Sequence, residues 1–188
     1  SKADSRVRVL ARAVNGHIAA ATADALGLAT GQWVGFPDQD DELRPHALLR
    51  VAQALGGHPQ ARMIYSDEDK FDAKGQRVLP LFKPDWSPML ACIQNYVGHA
   101  LCVRRDLFAA SGALDRKIDG ASGYDLMLRL SEQALPHHLP DVLYHQRLDA
   151  APGETASSQA MHEAGRQAVA AHLARRYPLQ FLRVDDGD

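Results

Sequence analysis

Apolar positions along this chain recur with two periods, and stretches of each kind alternate. Val7–Leu10 is a short β-prone run. From Gly16 to about Ala29, the residues Ile18, Ala21, Ala25 and Leu28 fall at steps of three and four, which predicts a helix with these side chains on one buried face. Gly31 suits a helix stop. Trp33–Phe36 reads as a buried strand that Pro37 ends. Pro45 fits a first helical turn, so a helix is expected to about Leu55, broken by Gly56-Gly57. Ala61–Tyr65 is another strand, ending in the acidic run Ser66-Asp67-Glu68-Asp69. Residues 70–88 hold Gly75, Pro80, Pro84 and Pro88, and read as a long ordered loop or a hairpin. Val97–Val103 predicts a strand and Arg104–Ala110 a short helix. Tyr124–Gln133 predicts a helix that turns Leu126, Met127 and Leu130 inward. Asp141–Tyr144 is a short strand, and Ala156–Arg176 a helix with a small-residue face and Thr155 as its cap. Val184–Asp188 is expected to fray. Alternating strands and helices predict an α/β domain. A length of 188 residues suits a single domain over 1–188, with 177–188 as a C-terminal tail.

Composition narrows the function. Hydrophobic residues are 46% and charged residues 23% of the chain, which are globular values and exclude disorder and fibrous repeats. The net charge is −2 and the basic residues are scattered, so no positive stripe invites nucleic acid. Apolar runs fall far short of the ~18 residues that cross a bilayer, and no signal peptide is expected. Cys92 and Cys102 are too few for a disulfide scaffold or a four-thiolate zinc site. The reading is cytoplasmic, with the inner membrane face as a peripheral place of action.

The strongest chemical signal is the strand Trp33–Phe36 running into Asp38-Gln39-Asp40-Asp41-Glu42. Carboxylates at a strand end converge on one point outside the sheet, and hard cations such as Mg²⁺ and Mn²⁺ take oxygen ligands while bridging to phosphates. A solvated acidic turn that complements the next helix dipole explains the same residues. A phosphohydrolase on these carboxylates would need a nucleophile or a second metal cluster, and no partner set is evident.

A longer pattern joins these residues. Asn15–Ala21, Ala29–Val34, Asp38–Leu43, Ile64–Lys70, Phe82–Pro88, Gln94–His99, Gly123–Arg129 and Leu143–Arg147 occur in the order of a family 2 glycosyltransferase of bacterial polysaccharide and O-antigen type, which the chain resembles through about Ala156. The resemblance implies a GT-A-like (Rossmann-like) α/β fold, a mixed sheet flanked by helices, here expected to be N-terminally truncated of its nucleotide-binding strands. It implies an inverting enzyme that moves a sugar from a nucleotide-sugar donor to a polysaccharide or lipid-linked acceptor. By position, Asp38, Asp40 and His145 would hold Mn²⁺ or Mg²⁺. Gly16, Asp38 and Asp41 would meet the donor diphosphate, the first through backbone N–H groups at a helix start. Trp86, Tyr96 and His99 would face the acceptor.

Three departures stand against this pattern. The carboxylate that serves such enzymes as general base precedes an aromatic–Asp–Leu helix start, and here that position is Gly123. Asp125, two residues on, is the remaining candidate for a catalytic carboxylate, but it lies on a different helix face and suits a bond to Arg129 at i+4. Thr22-Ala23 replaces an Arg-Asn pair common in the first helix, and the leading strands are not seen. The competing reading is a non-catalytic GT-A-like fragment or binding module. The small-residue face of the last helix suits packing within the domain or against a second copy, and an uncovered sheet edge suits a homo-oligomer.

Overall fold

The structure, a computed structural model, describes residues 4–14, 17–112, 121–148 and 158–177. In chain order the elements are α1 (His17–Leu28), β1 (Trp33–Gly35), β2 (Glu42–Leu43), α2 (Ala47–Gly57), β3 (Met63–Phe71), β4 (Arg77–Leu81), α3 (Pro88–Ile93), β5 (Leu101–Arg104), α4 (Arg105–Ala110), α5 (Ser122–Ser131), β6 (His137–Arg147) and α6 (Ser158–Arg176).

The strands form one mixed sheet in the order β1-β5-β3-β6-β2, with β4 added to β3. β3 is its axis. Its first residues pair antiparallel with β5, its last residues pair antiparallel with β4, and its other edge runs parallel to β6 from Ile64↔His137 to Phe71↔Arg147. The larger core joins Met63 and Tyr65 of β3 to Leu107 and Phe108 of α4, to Tyr124, Leu126, Met127, Leu128 and Leu130 of α5, and to Ala164, Ala168 and Val169 of α6. A smaller cluster packs Ala47 of α2 on Ile64, Leu139 and Leu143.

Most predicted elements are present. Leu126, Met127 and Leu130 are buried as their spacing requires, and the small-residue face of α6 packs on α5 within the chain. The 70–88 segment is a hairpin, β3 to β4, followed by helix α3, whose first turn is capped by Ser87 accepting from Leu90 N–H. Other expectations need correction. Val7–Leu10 forms no strand, and Val7, Val9 and Leu10 are exposed. In α1 the predicted face is turned the wrong way: Ile18, Ala21 and Ala25 face solvent, while Ala20 is buried and Leu26 packs on the core. A helix in which five of twelve residues are alanine has too little amphipathic contrast for its sequence to choose a face. α2 ends at the glycine pair as expected, with Gly56 and Gly57 forming its last turn before the C-cap His58. Thr155, Val184–Asp188 and Gly16 lie outside the described residues.

The largest difference is in β3. The strand does not end in acid. It continues through Ser66-Asp67-Glu68-Asp69, all buried. A buried carboxylate persists only with partners, and each has them. Asp67 accepts from the Lys83 backbone N–H at 2.9 Å and lies 2.8 Å from His138 Nε2. Glu68 accepts from Lys83 Nζ at 2.8 Å. Asp69 sits between Arg77 and His145.

Candidate functional site

β1 is a short edge strand, and the chain leaves it at Gly35 toward the loop 36–41 before β2 ties back to β6 at Glu42↔His145 and Leu43↔Tyr144. The loop therefore lies at the end of the sheet, over β6. Asp38, Gln39 and Asp40 are exposed, and Asp41 is half-buried.

Four hydrogen bonds fix this loop to β6. Asp38 N–H donates to the Tyr144 hydroxyl at 3.0 Å, and that hydroxyl donates to Asp41 Oδ2 at 2.7 Å. Arg147 N–H donates to Asp41 Oδ1 at 2.9 Å, and Arg147 Nε to the Asp40 carbonyl at 3.0 Å. Burial raises the Tyr144 pKa, the Asp38 backbone N–H opposes it, and the Asp41 and Asp38 carboxylates add to it, so its hydroxyl stays a donor.

Beside the loop stands His99, stacked on Tyr144 with ring planes 12° apart. Its Nε2 lies 3.9 Å from Asp38 Oδ2 and its Nδ1 3.6 Å from Glu68 Oε1, while its backbone N–H donates to Glu68 Oε2 at 3.2 Å. The Glu68 carboxylate raises the imidazole pKa against the cost of burial, which favours a cation next to Asp38. Burial pushes Glu68 up, but His99 and the Lys83 ammonium outweigh it and bring its pKa down to about 2. Partial burial raises the Asp38 pKa, His99 opposes that, and the Asp41 and Asp40 charges add to it. A mostly apolar cavity of about 460 Å³ is lined by Phe36, Leu48, Val51 and Leu143 and also by His99 and Tyr144, but not by Asp38, Asp40 or Asp41.

The structure thus brings together Asp38, Asp40, Asp41 and His99, and separates the other candidates from them. Both Asp41 oxygens are engaged, so it is a strut of the loop where a donor contact was expected. His145 has Asp69 as its partner, on the strand position where alternation turns it away from its neighbour Tyr144. Tyr96 is 2% exposed, its hydroxyl accepts from Ser87 N–H, and its ring packs near Tyr65 and Trp86. It is a core residue, unavailable to an acceptor. Trp86 is half-buried against that core. His99 faces the acidic loop, where an acceptor-facing role was expected. Asp125 is 2% exposed and accepts from Arg129 Nε at 2.8 Å, the i+4 bond that its spacing predicts. Gly123 is exposed, with open space where a Cβ would stand. Glu68, Lys83, Tyr144 and Arg147 carry the site without having been assigned a role from sequence. Their signal lay in the motif segments Ile64–Lys70, Phe82–Pro88 and Leu143–Arg147, which contain all four.

Among the described residues, no group of three or more His, Cys, Asp or Glu side chains is arranged to hold a metal ion. The donor chemistry fits the other common arrangement, in which a hard cation takes one or two carboxylates and completes its shell with water and substrate phosphates. Asp38 and Asp40 are exposed carboxylates of that kind.

Residues 1–110 match the family model described as Glycosyl transferase family 2. The chain is 43% identical over 176 residues to the O-antigen biosynthesis protein RfbC of Myxococcus xanthus, covering 92% of this chain and 14% of that protein. It is 40% identical over 179 residues to the uncharacterized protein y4gI of Sinorhizobium fredii, covering 92% of this chain and 20% of that one. The chain therefore spans a fifth or less of the length of these relatives. Among solved structures, that of S. aureus TarS 1-349 in complex with UDP-GlcNAc is similar, with a TM-score of 0.61 at 16% identity over 80% of this chain and 45% of that chain. At that identity the likeness shows the fold, a GT-A mixed sheet with helices. No helix among the described residues is long and apolar enough to cross a membrane.

Proposed function

This chain belongs to glycosyl transferase family 2, and we propose that it is the catalytic-type domain of an enzyme that moves a sugar, with inversion, from a nucleotide-sugar donor to a polysaccharide or lipid-linked acceptor in the cytoplasm. The observation that carries the reading is the acidic loop at the end of the sheet, with Asp38 and Asp40 exposed and held beside His99 and Tyr144, which also line a cavity. Asp38 and Asp40 would hold Mn²⁺ or Mg²⁺. When bound, the cation offsets negative charge on the leaving diphosphate. His99 adds an imidazole whose Nε2 lies 3.9 Å from Asp38 Oδ2 and whose ring is seated on Tyr144. UDP is the first nucleotide to try, because the similar TarS structure holds UDP-GlcNAc.

A second reading has its own observation. Gly123 offers no carboxylate to take the acceptor proton, and Asp125 is committed to Arg129. The domain would then bind a nucleotide sugar without turning it over. A panel of nucleotide sugars with Mn²⁺ or Mg²⁺ separates the two readings. Release of nucleoside diphosphate from any donor supports the transferase. Metal-dependent nucleotide binding without turnover, unchanged in Gly123→Asp, supports the binding module. No nucleotide binding at all sinks both.

A further inference from the structure

We propose that Tyr144 and Arg147 are positioning residues of the donor site, which with Asp41 clamp the 38–41 loop so that the carboxylates of Asp38 and Asp40, and not that of Asp41, face a divalent cation and a nucleotide diphosphate. The inference rests on the transferase reading and assigns work within it.

A loop of exposed acidic residues repels itself and has no reason to hold one shape in isolation. The clamp supplies that reason with groups that cannot easily turn elsewhere. The Tyr144 ring is 1% exposed, so its hydroxyl is delivered at a fixed place. That hydroxyl accepts from Asp38 N–H and donates to Asp41, using both of its capacities in one orientation. Arg147 grips from the other side, its backbone N–H on Asp41 and its Nε on the Asp40 carbonyl. Its guanidinium is seated 4.7 Å from the centre of the Phe71 ring, which restricts its swing. The β2–β6 pairing at Leu43↔Tyr144, and Arg44 N–H donating to the Leu143 carbonyl at 3.0 Å, set the height of the loop on β6. Asp41 is the hub: one oxygen on Tyr144, the other on Arg147. A cation that took Asp41 would have to share oxygens that each already accept a hydrogen bond, whereas Asp38 keeps 63% of its side-chain surface exposed.

Tyr144→Phe, Asp41→Asn and the double variant test this in the whole chain. Two quantities are read: the Mn²⁺ concentration that half-saturates UDP binding, and the hydrogen-exchange rate of the Asp38 amide. The clamp predicts that each single variant raises the half-saturating Mn²⁺ about tenfold, equivalent to ~1.4 kcal/mol. The double variant is then no worse than the more affected single one, because both break one network. The Asp38 amide exchanges about tenfold faster in Tyr144→Phe, as expected for losing one hydrogen bond. Melting temperatures stay within about 4 °C of the parent, so that unfolding does not explain the loss. Additive effects, or a severe Asp41→Asn defect beside a silent Tyr144→Phe, would make Asp41 a ligand and overturn the clamp. So would an Asp38 amide that exchanges at the parental rate in Tyr144→Phe. Should the parent chain bind no UDP at any Mn²⁺ concentration, the transferase reading fails by itself, and the exchange rates still decide the clamp.

Discussion

Lys83 is a charged residue with no exposed side-chain surface, and its three donors explain why it is tolerated. One reaches Glu68, another the Val97 carbonyl at 2.6 Å. Burial lowers its pKa, and the Glu68 and Asp67 charges act against that. Removing one member of such a pair leaves the other charged and dry. Lys83→Met is therefore expected to cost about 3–5 kcal/mol, read as a lower denaturant midpoint. Gly98 closes the same network from the loop side. Its φ is +62°, and a Cβ there would stand 2.8 Å from Glu68 Oε2. Gly98→Ala combines a left-handed backbone with that clash, so a loss of at least ~1 kcal/mol is expected; an unchanged midpoint would show that the loop moves freely. Acid exposes the third member. Glu68 has an ordinary pKa of 4.5 and about 2 in the fold, so the stability it gives is complete above pH 4.5 and disappears as pH falls through about 2. Melting curves between pH 6 and 2 should show that loss, and Glu68→Gln should lack this part of it.

At the scale of elements, α5 is where sequence and structure meet most closely. Its apolar spacing fixes which face is buried, and the Asp125–Arg129 spacing fixes a bond one turn long. Arg129 Nη1 also donates to the Ser111 carbonyl, so the pair ties α5 to the end of α4. Asp125→Asn should consequently lower stability by about 1–3 kcal/mol while leaving nucleotide affinity unchanged. A variant that keeps its midpoint and loses activity would restore Asp125 as a catalytic candidate. β3 teaches the opposite lesson. Ser66-Asp67-Glu68-Asp69 reads locally as a turn, and only partners from remote segments make it a strand: Lys83 from the following hairpin, His138 and His145 from β6, and His99 from the loop before β5. No window of sequence around Asp67 contains that information.

At the scale of the whole molecule, the fold is held by the β3–β6 seam and by α5 and α6 on one core, and no described cluster ties it together through a metal. Chelation should accordingly leave the melting temperature unchanged while abolishing divalent-dependent nucleotide binding. A chelator-induced drop of more than about 4 °C, which is ~1 kcal/mol or more for a domain of this size, would reveal a structural cation.

The sequence by itself determined the α/β class, the helix α5 with its buried face, and the acidic loop after β1, because each depends on periodicity or on composition within a few residues. The order of its motifs also carried the family, which needs no coordinates. Tertiary structure alone decided which carboxylates are available. Asp38, Asp41, Asp67, Glu68 and Asp69 are chemically alike in sequence, and their fates diverge because donors on distant strands and loops reach four of them and leave the side chain of Asp38 mostly in solvent. Such pairing is set by where chain segments cross, and a linear pattern does not encode that crossing locally.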